Sequence, residues 1–157
     1  MSTRSIITFK SEEGILQVYK QWDGYPETTV PELQKFLNWN GHRNYDLSYT
    51  VANYFYWYKS EHFKEQIEMY KEDHTVEQVQ KFAESGNSIE HVGLGMCYGK
   101  PIMNYSKASE EYNAEYFYIV DLDQERIYEE VTSQYWDFTH KTPKKYMGHK
   151  VEEHIHN

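Results

Sequence analysis

The sequence predicts an α+β fold: one domain, with an antiparallel sheet of about five strands packed with about three helices. Three observations carry this. Residues 4–10 with 15–22, and 114–120 with 125–131, are short strand-like segments joined by turn-forming tetrads, the pattern of β-hairpins. Between them lie stretches whose apolar residues recur at helical spacing. The 157 residues and 17% aromatic content suit a single domain able to bury a sizeable core. Mean hydropathy is low, at -0.90, but the 16 Tyr, 7 Phe and 4 Trp argue against a disordered chain.

In the first hairpin Ser11-Glu12-Glu13-Gly14 is the loop, and Gly14 is free to adopt positive φ. Setting Lys10 opposite Ile15 puts Phe9 against Leu16 and Ile7 against Val18, with Trp22 near Thr3. That face is apolar. The other, with Arg4, Ile6 and Thr8 beside Gln21, Tyr19 and Gln17, is expected to be only partly buried.

A helix follows. Thr29 with Glu32 three residues on reads as a capping box, and Pro31 then falls in the first turn. Val30, Leu33, Phe36 and Leu37 make its apolar face, and Asn40-Gly41 ends it. Asp46 or Ser48 caps a second, longer helix with Leu47, Val51, Tyr54, Phe55 and Tyr58 at helical spacing, continuing through Phe63, Ile67 and Tyr70. A third, short helix runs from Val76 to Ala83 and is ended by Gly86-Asn87. Ile89 to Tyr98 reads as a strand, with Gly93 and Gly95 allowing close backbone approach. Residues 99–113 read as an irregular loop, and the second hairpin turns at Asp121-Leu122-Asp123-Gln124. The domain is expected to span 1–140, leaving 141–157 as a peripheral tail. The expected core is Ile7, Phe9, Leu16, Val18, Leu33, Leu37, Val51, Phe55, Phe117 and Ile119.

The net charge of -9 disfavours nucleic acid as a partner, since phosphate binding needs clustered Lys and Arg. It would also repel anionic membranes, and no apolar run approaches the roughly 20 residues of a membrane span. The single cysteine, Cys97, forms no intramolecular disulfide, and the N-terminus lacks a signal-peptide pattern. A cytoplasmic protein is the expectation, in a host cytoplasm if the gene is viral.

The candidate site is Trp22-Asp23-Gly24-Tyr25-Pro26-Glu27, at the end of a strand and the start of a helix. Trp22 and Tyr25 could stack on a planar ligand or simply pack. Asp23 and Glu27 could serve as acid and base, or merely shape the turn and the helix start. Arg4, opposite Gln21, lies diagonally from Asp23, so the two are expected to meet at the open end of the hairpin. There Arg4 would be either an exposed ion-pair partner or a planar clamp for an anion. The ligand-binding candidates are thus Arg4, Trp22, Asp23, Tyr25 and Glu27, with no residue assigned as catalytic. His149, Glu153, His154 and His156 lack a recognised ligand pattern, so no metal or other cofactor is expected. Gly93-Leu94-Gly95 is at most half a dinucleotide fingerprint, and Cys97 reads as an inert buried thiol.

Three segments carry a family resemblance. Met1-Ser2-Thr3-Arg4-Ser5-Ile6-Ile7, the stretch from Tyr19 to Glu27, and the late hairpin Glu115-Tyr116-Phe117-Tyr118-Ile119-Val120-Asp121 resemble small uncharacterised proteins of phages, bacteria and archaea. Those proteins share an MSTR-type start and a tryptophan-aspartate-glycine-tyrosine-proline segment. The resemblance is specific over roughly the first 37 residues, and it implies a phage or mobile-element accessory protein without implying a catalytic activity.

Taken together, these features favour a non-enzymatic binding protein for a small anionic or nucleotide-like ligand or a host protein. A small hydrolase or transferase using Asp23 and Glu27 is one alternative. An assembly protein with a Tyr-rich homo-oligomer interface is another.

Overall fold

The computed structural model describes residues 2–85 and 93–147. Its elements are β1 (Ser5–Ser11), β2 (Gly14–Lys20), α1 (Pro26–Asn40), a 3-10 turn (Gly41–Tyr45), α2 (Leu47–Lys71) and α3 (Val76–Ser85). They continue with β3 (Leu94–Met96), α4 (Tyr105–Tyr112), β4 (Tyr116–Asp121), β5 (Arg126–Glu129), β6 (Gln134–Asp137) and β7 (Lys144–Lys145). The strands form one sheet in the order β3-β2-β1-β4-β5-β6-β7. Every neighbouring pair is antiparallel except β1 with β4, which is parallel. The fold is therefore mixed α and β, with seven strands and four α-helices among the described residues rather than the expected five and three.

The first hairpin has the expected register, with Lys10 opposite Ile15, Phe9 opposite Leu16 and Ile7 opposite Val18. Gly14 takes φ 138°, which an L side chain rarely adopts. The parallel pairing of β1 and β4 leaves both strands interior, so each needs cover on two faces. On one face α1 and α2 bring Leu33, Phe36, Leu37, Val51 and Tyr54 onto Ile7, Phe9, Val18, Tyr118 and Val120. On the other, Ile102, Ala108 and Ala114 pack on Ile6, Phe117 and Ile119. This second face is partly buried, as expected: Ile6, Thr8 and Gln17 are buried, while Arg4, Tyr19 and Gln21 are intermediate. Its polar residue Gln17 donates to Thr8 Oγ1 (2.9 Å) and to the Ile102 carbonyl (2.6 Å), and accepts from the Ile102 N–H (2.7 Å). Eight of the ten expected core residues are buried, while Leu16 and Phe55 are partly buried and packed against the core.

Several boundaries differ from expectation. Helix α1 starts at Pro26, so Thr29 is not its cap and Pro31 lies inside it. A proline at the first helical position, where its missing N–H is harmless, outweighs the capping-box pattern three residues later. Asp46 caps α2 by accepting from the Tyr49 N–H, and the aromatic run at 54–58 is helical. Helix α3 extends to Ser85, while the Gly86-Asn87 stop lies outside the described residues. So does the first part of the expected 89–98 strand, of which 94–96 is extended. The expected loop at 99–113 contains α4, whose N-cap Asn104 accepts from the Lys107 N–H and whose C-cap Asn113 takes φ 56°. Two strands, β6 and β7, follow the second hairpin, and β7 lies in the expected tail. Among the described residues, no helix is long and apolar enough to cross a membrane.

Candidate functional site

The segment after β2 is held from inside by its backbone. Asp23 adopts φ 52° and turns its carbonyl inward, where it accepts from Lys20 Nζ (3.2 Å) and Thr29 Oγ1 (2.9 Å). The next carbonyl, of Gly24, accepts from the Tyr118 hydroxyl at 2.6 Å, and the Gly24 N–H donates to the Thr3 carbonyl at 2.9 Å. Any Cβ at residue 24 would lie 2.8 Å from that Thr3 oxygen, so the approach requires glycine. Pro26 then stiffens the entry into α1.

Beneath the turn lies a buried charged network. Lys20 follows Leu16 and Val18 on the core face of β2, where an aliphatic side chain would ordinarily sit. Its three ammonium protons reach Asp23 O, Thr29 Oγ1 (3.1 Å) and Glu32 Oε1 (3.0 Å). The other Glu32 oxygen faces His62 Nε2 at 3.3 Å, and His62 Nδ1 lies 3.7 Å from Glu65 Oε2. Burial alone would raise the Glu32 pKa, but hydrogen bonding from His62 and the charge of Lys20 outweigh it and hold the carboxyl below its ordinary range. His62 is raised, mainly by its hydrogen bond to Glu32. The Tyr58 ring lies 5.5 Å from Lys20 Nζ and 4.2 Å from the His62 ring. Burial pushes the phenols of Tyr54, Tyr58 and Tyr118 upward, so they stay protonated, and that of Tyr118 donates to the Gly24 carbonyl.

The side chains of the segment point the other way. Trp22 is 45% exposed, Tyr25 is 41% exposed, and Asp23 and Glu27 are exposed as well. The Trp22 ring rests on Gly93, where a Cβ would fall 2.6 Å from it, and the Gln21 N–H donates to the Gly93 carbonyl at 2.7 Å. Tyr25 meets Tyr116 edge-on, with ring centroids 6.5 Å apart. Glu27 borders a groove of about 380 Å³ between α1 and β6 with the chain that follows it, lined also by Val30, Pro31, Gln34, Trp136 and Lys141. Gln34 fixes that groove by donating to the carbonyls of Asp137 (2.9 Å) and His140 (2.7 Å).

Trp22, Asp23, Tyr25 and Glu27 thus share one rigid segment. Arg4 does not join them through Asp23, because no ion pair within 4 Å links the two. Strand pairing ends at Ser5 with Lys20, Asp23 turns out of line at positive φ, and the Arg4 carbonyl accepts from the Glu115 N–H beside β4. The residues missed by sequence reasoning are Lys20, Thr29, Glu32, His62 and Tyr118. One signal was present: the hairpin register already placed Lys20 in line with Leu16 and Val18. Cys97 follows β3 and is partly buried, which pushes its thiol up to about 11. Among the described residues, no group of three or more His, Cys, Asp or Glu could hold a metal, and the expected C-terminal histidines lie outside them. No family model, curated protein or solved structure matches the chain.

Proposed function

We propose that this is a non-enzymatic binding protein whose recognition element is the Trp22–Glu27 segment, and that its partner is a host protein. The observation that carries this reading is the division of the segment. Its two central carbonyls are captured by Lys20, Thr29 and Tyr118, while Trp22, Asp23, Tyr25 and Glu27 face outward. Binding then costs little ordering of the backbone, and Trp and Tyr are the residue types that most often anchor protein interfaces. An accessory role of phage or mobile-element type is consistent with the sequence resemblance around this segment. An enzymatic reading through Asp23 and Glu27 draws less support, because both side chains stand exposed to solvent rather than enclosed in a pocket of their own.

The groove beside Glu27 supports a second reading, a small anionic or nucleotide-like ligand. Its volume of about 380 Å³ suits a small molecule, and Lys141 could meet an anion.

The test compares the parent with Trp22→Ala/Tyr25→Ala. A host protein retained by the parent should bind the variant at least roughly thirtyfold more weakly, as for loss of about 2 kcal/mol, while the melting temperature is held. Equal retention by both proteins rejects the segment as the recognition element. Thermal stabilisation by a nucleotide, lost in Lys141→Ala, selects the groove instead. Turnover abolished by Asp23→Asn/Glu27→Gln would establish the enzymatic alternative.

A further inference from the structure

Beyond Tyr58, α2 buries no residue, and α3 buries none along its length. These parts form one arm, because the Tyr70 ring stacks on Phe82 of α3 at 4.2 Å and on His74 at 3.6 Å. Among the described residues, the hydrogen bond from His62 to Glu32 is the side-chain bond that ties residues 59–71 to α1. We infer that His62 is a proton-controlled clamp: its bond to Glu32 holds the α2–α3 arm against α1, and the hold weakens when the ring loses its proton.

The arrangement makes the effect local. Glu32 faces His62 from α1, Lys20 approaches from β2, and Glu65 and Tyr58 flank the ring on its own helix. The two carboxylates favour the imidazolium, and Lys20 opposes it. When His62 is neutral, Glu32 still has Lys20 as its counter-ion, so the core network persists while the arm loses a charged tie. His62 is 29% exposed, so its proton can exchange with solvent without unfolding the domain. The sign follows from linkage. A group whose pKa is raised in the closed state stabilises that state fully below its open-state value, near 6.5, and loses this effect as pH rises through the closed-state value. The inference does not depend on what the Trp22–Glu27 segment binds.

Two measurements on the full chain must agree. An NMR titration of the His62 ring, assigned by its loss in His62→Gln, should give a pKa above 6.5. Amide hydrogen exchange of residues 59–85, corrected for intrinsic rates, should show the opening equilibrium rising as pH passes through that value. The rise should be about tenfold per unit of measured shift. Amides of β1 and β4 should keep their protection, and the arm of His62→Gln should be open and insensitive to pH over the same range. A His62 pKa at or below 6.5 overturns the clamp. So does an arm whose pH dependence is the same in His62→Gln, or a loss of protection shared equally by β1 and β4.

Discussion

Lys20 and Glu32 meet at 3.0 Å where β2 packs on α1, with side chains only 1% and 16% exposed. Removing one member leaves an uncompensated buried charge. Glu32→Ala is therefore expected to cost about 3–5 kcal/mol in urea unfolding. Lys20→Met/Glu32→Leu should recover much of that loss, because a buried pair replaced by apolar residues of similar volume is often neutral. A single variant within about 1 kcal/mol of the parent would mean that water reaches the pair.

The same network sets a pH window. The Glu32 pKa is lowered in the folded state, so its contribution is complete above the unfolded value of 4.5 and is lost as pH falls through the folded value. His62 is raised, so its contribution is complete below 6.5 and is lost as pH rises through its folded value. The triad should therefore stabilise most between about pH 4.5 and 6.5. Glu32→Gln should flatten the acid limb of a stability-against-pH curve, and His62→Gln the alkaline limb of the window. A parental slope in both variants would exclude the triad as its source.

Gly24 and Gly95 should respond differently to alanine. At Gly24 the added Cβ meets backbone oxygen at 2.8 Å, and the strain is expected to cost about 1–3 kcal/mol. At Gly95 nothing lies within 4 Å, and the change should stay within about 0.5 kcal/mol. Equal melting temperatures for the two variants would show that the turn can move away from Thr3.

Leu33 is fully buried between α1 and the sheet. Leu33→Ala should cost about 2–5 kcal/mol, read as a lower urea midpoint with an unchanged slope. A midpoint equal to the parent's would contradict the packing of α1 described here.

Arg4 lacks an ion pair with Asp23, so both Arg4→Lys and Arg4→Ala should melt within a degree or two of the parent, as surface changes within about 0.5 kcal/mol do. If Arg4→Ala but not Arg4→Lys is destabilised, a charge interaction forms in solution at this end of the hairpin.

The apolar face set by Ile7, Phe9, Leu16 and Val18 made the first hairpin and its register legible in the sequence, and the turn tetrad Asp121–Gln124 after the apolar run 116–120 did so for the late hairpin. Helical spacing did the same for α1 and α2. Short elements were less legible: β6 has four residues and β7 two, too few for a period to register, whereas β3 lies within the expected 89–98 strand. Helix α4 was hidden because its pattern is mostly polar, and its caps, Asn104 and Asn113, also suit a loop. The Trp22–Glu27 segment was found from its composition. The network beneath it was not, because Lys20, Glu32 and His62 come from three elements whose mutual packing no local pattern encodes. The burial of Ile6 and Gln17 depends in the same way on a cover that arrives from residues 102–114.

The pairing of β1 with β4 also orders events in time. Ser5 lies beside Tyr116, so the central seam of the sheet joins two strands separated by all the helices. On a ribosome, β1 and β2 can zip locally as soon as both emerge, but the far edge of β1 waits until all the helices have been made. During that interval Ile6, Ile7 and Phe9 border an unpaired strand edge, the kind of template that recruits another chain. Arrival of β4 closes that edge and supplies Tyr118, whose hydroxyl captures the Gly24 carbonyl. The Trp22–Glu27 segment therefore acquires its final anchor only after β4 has been made.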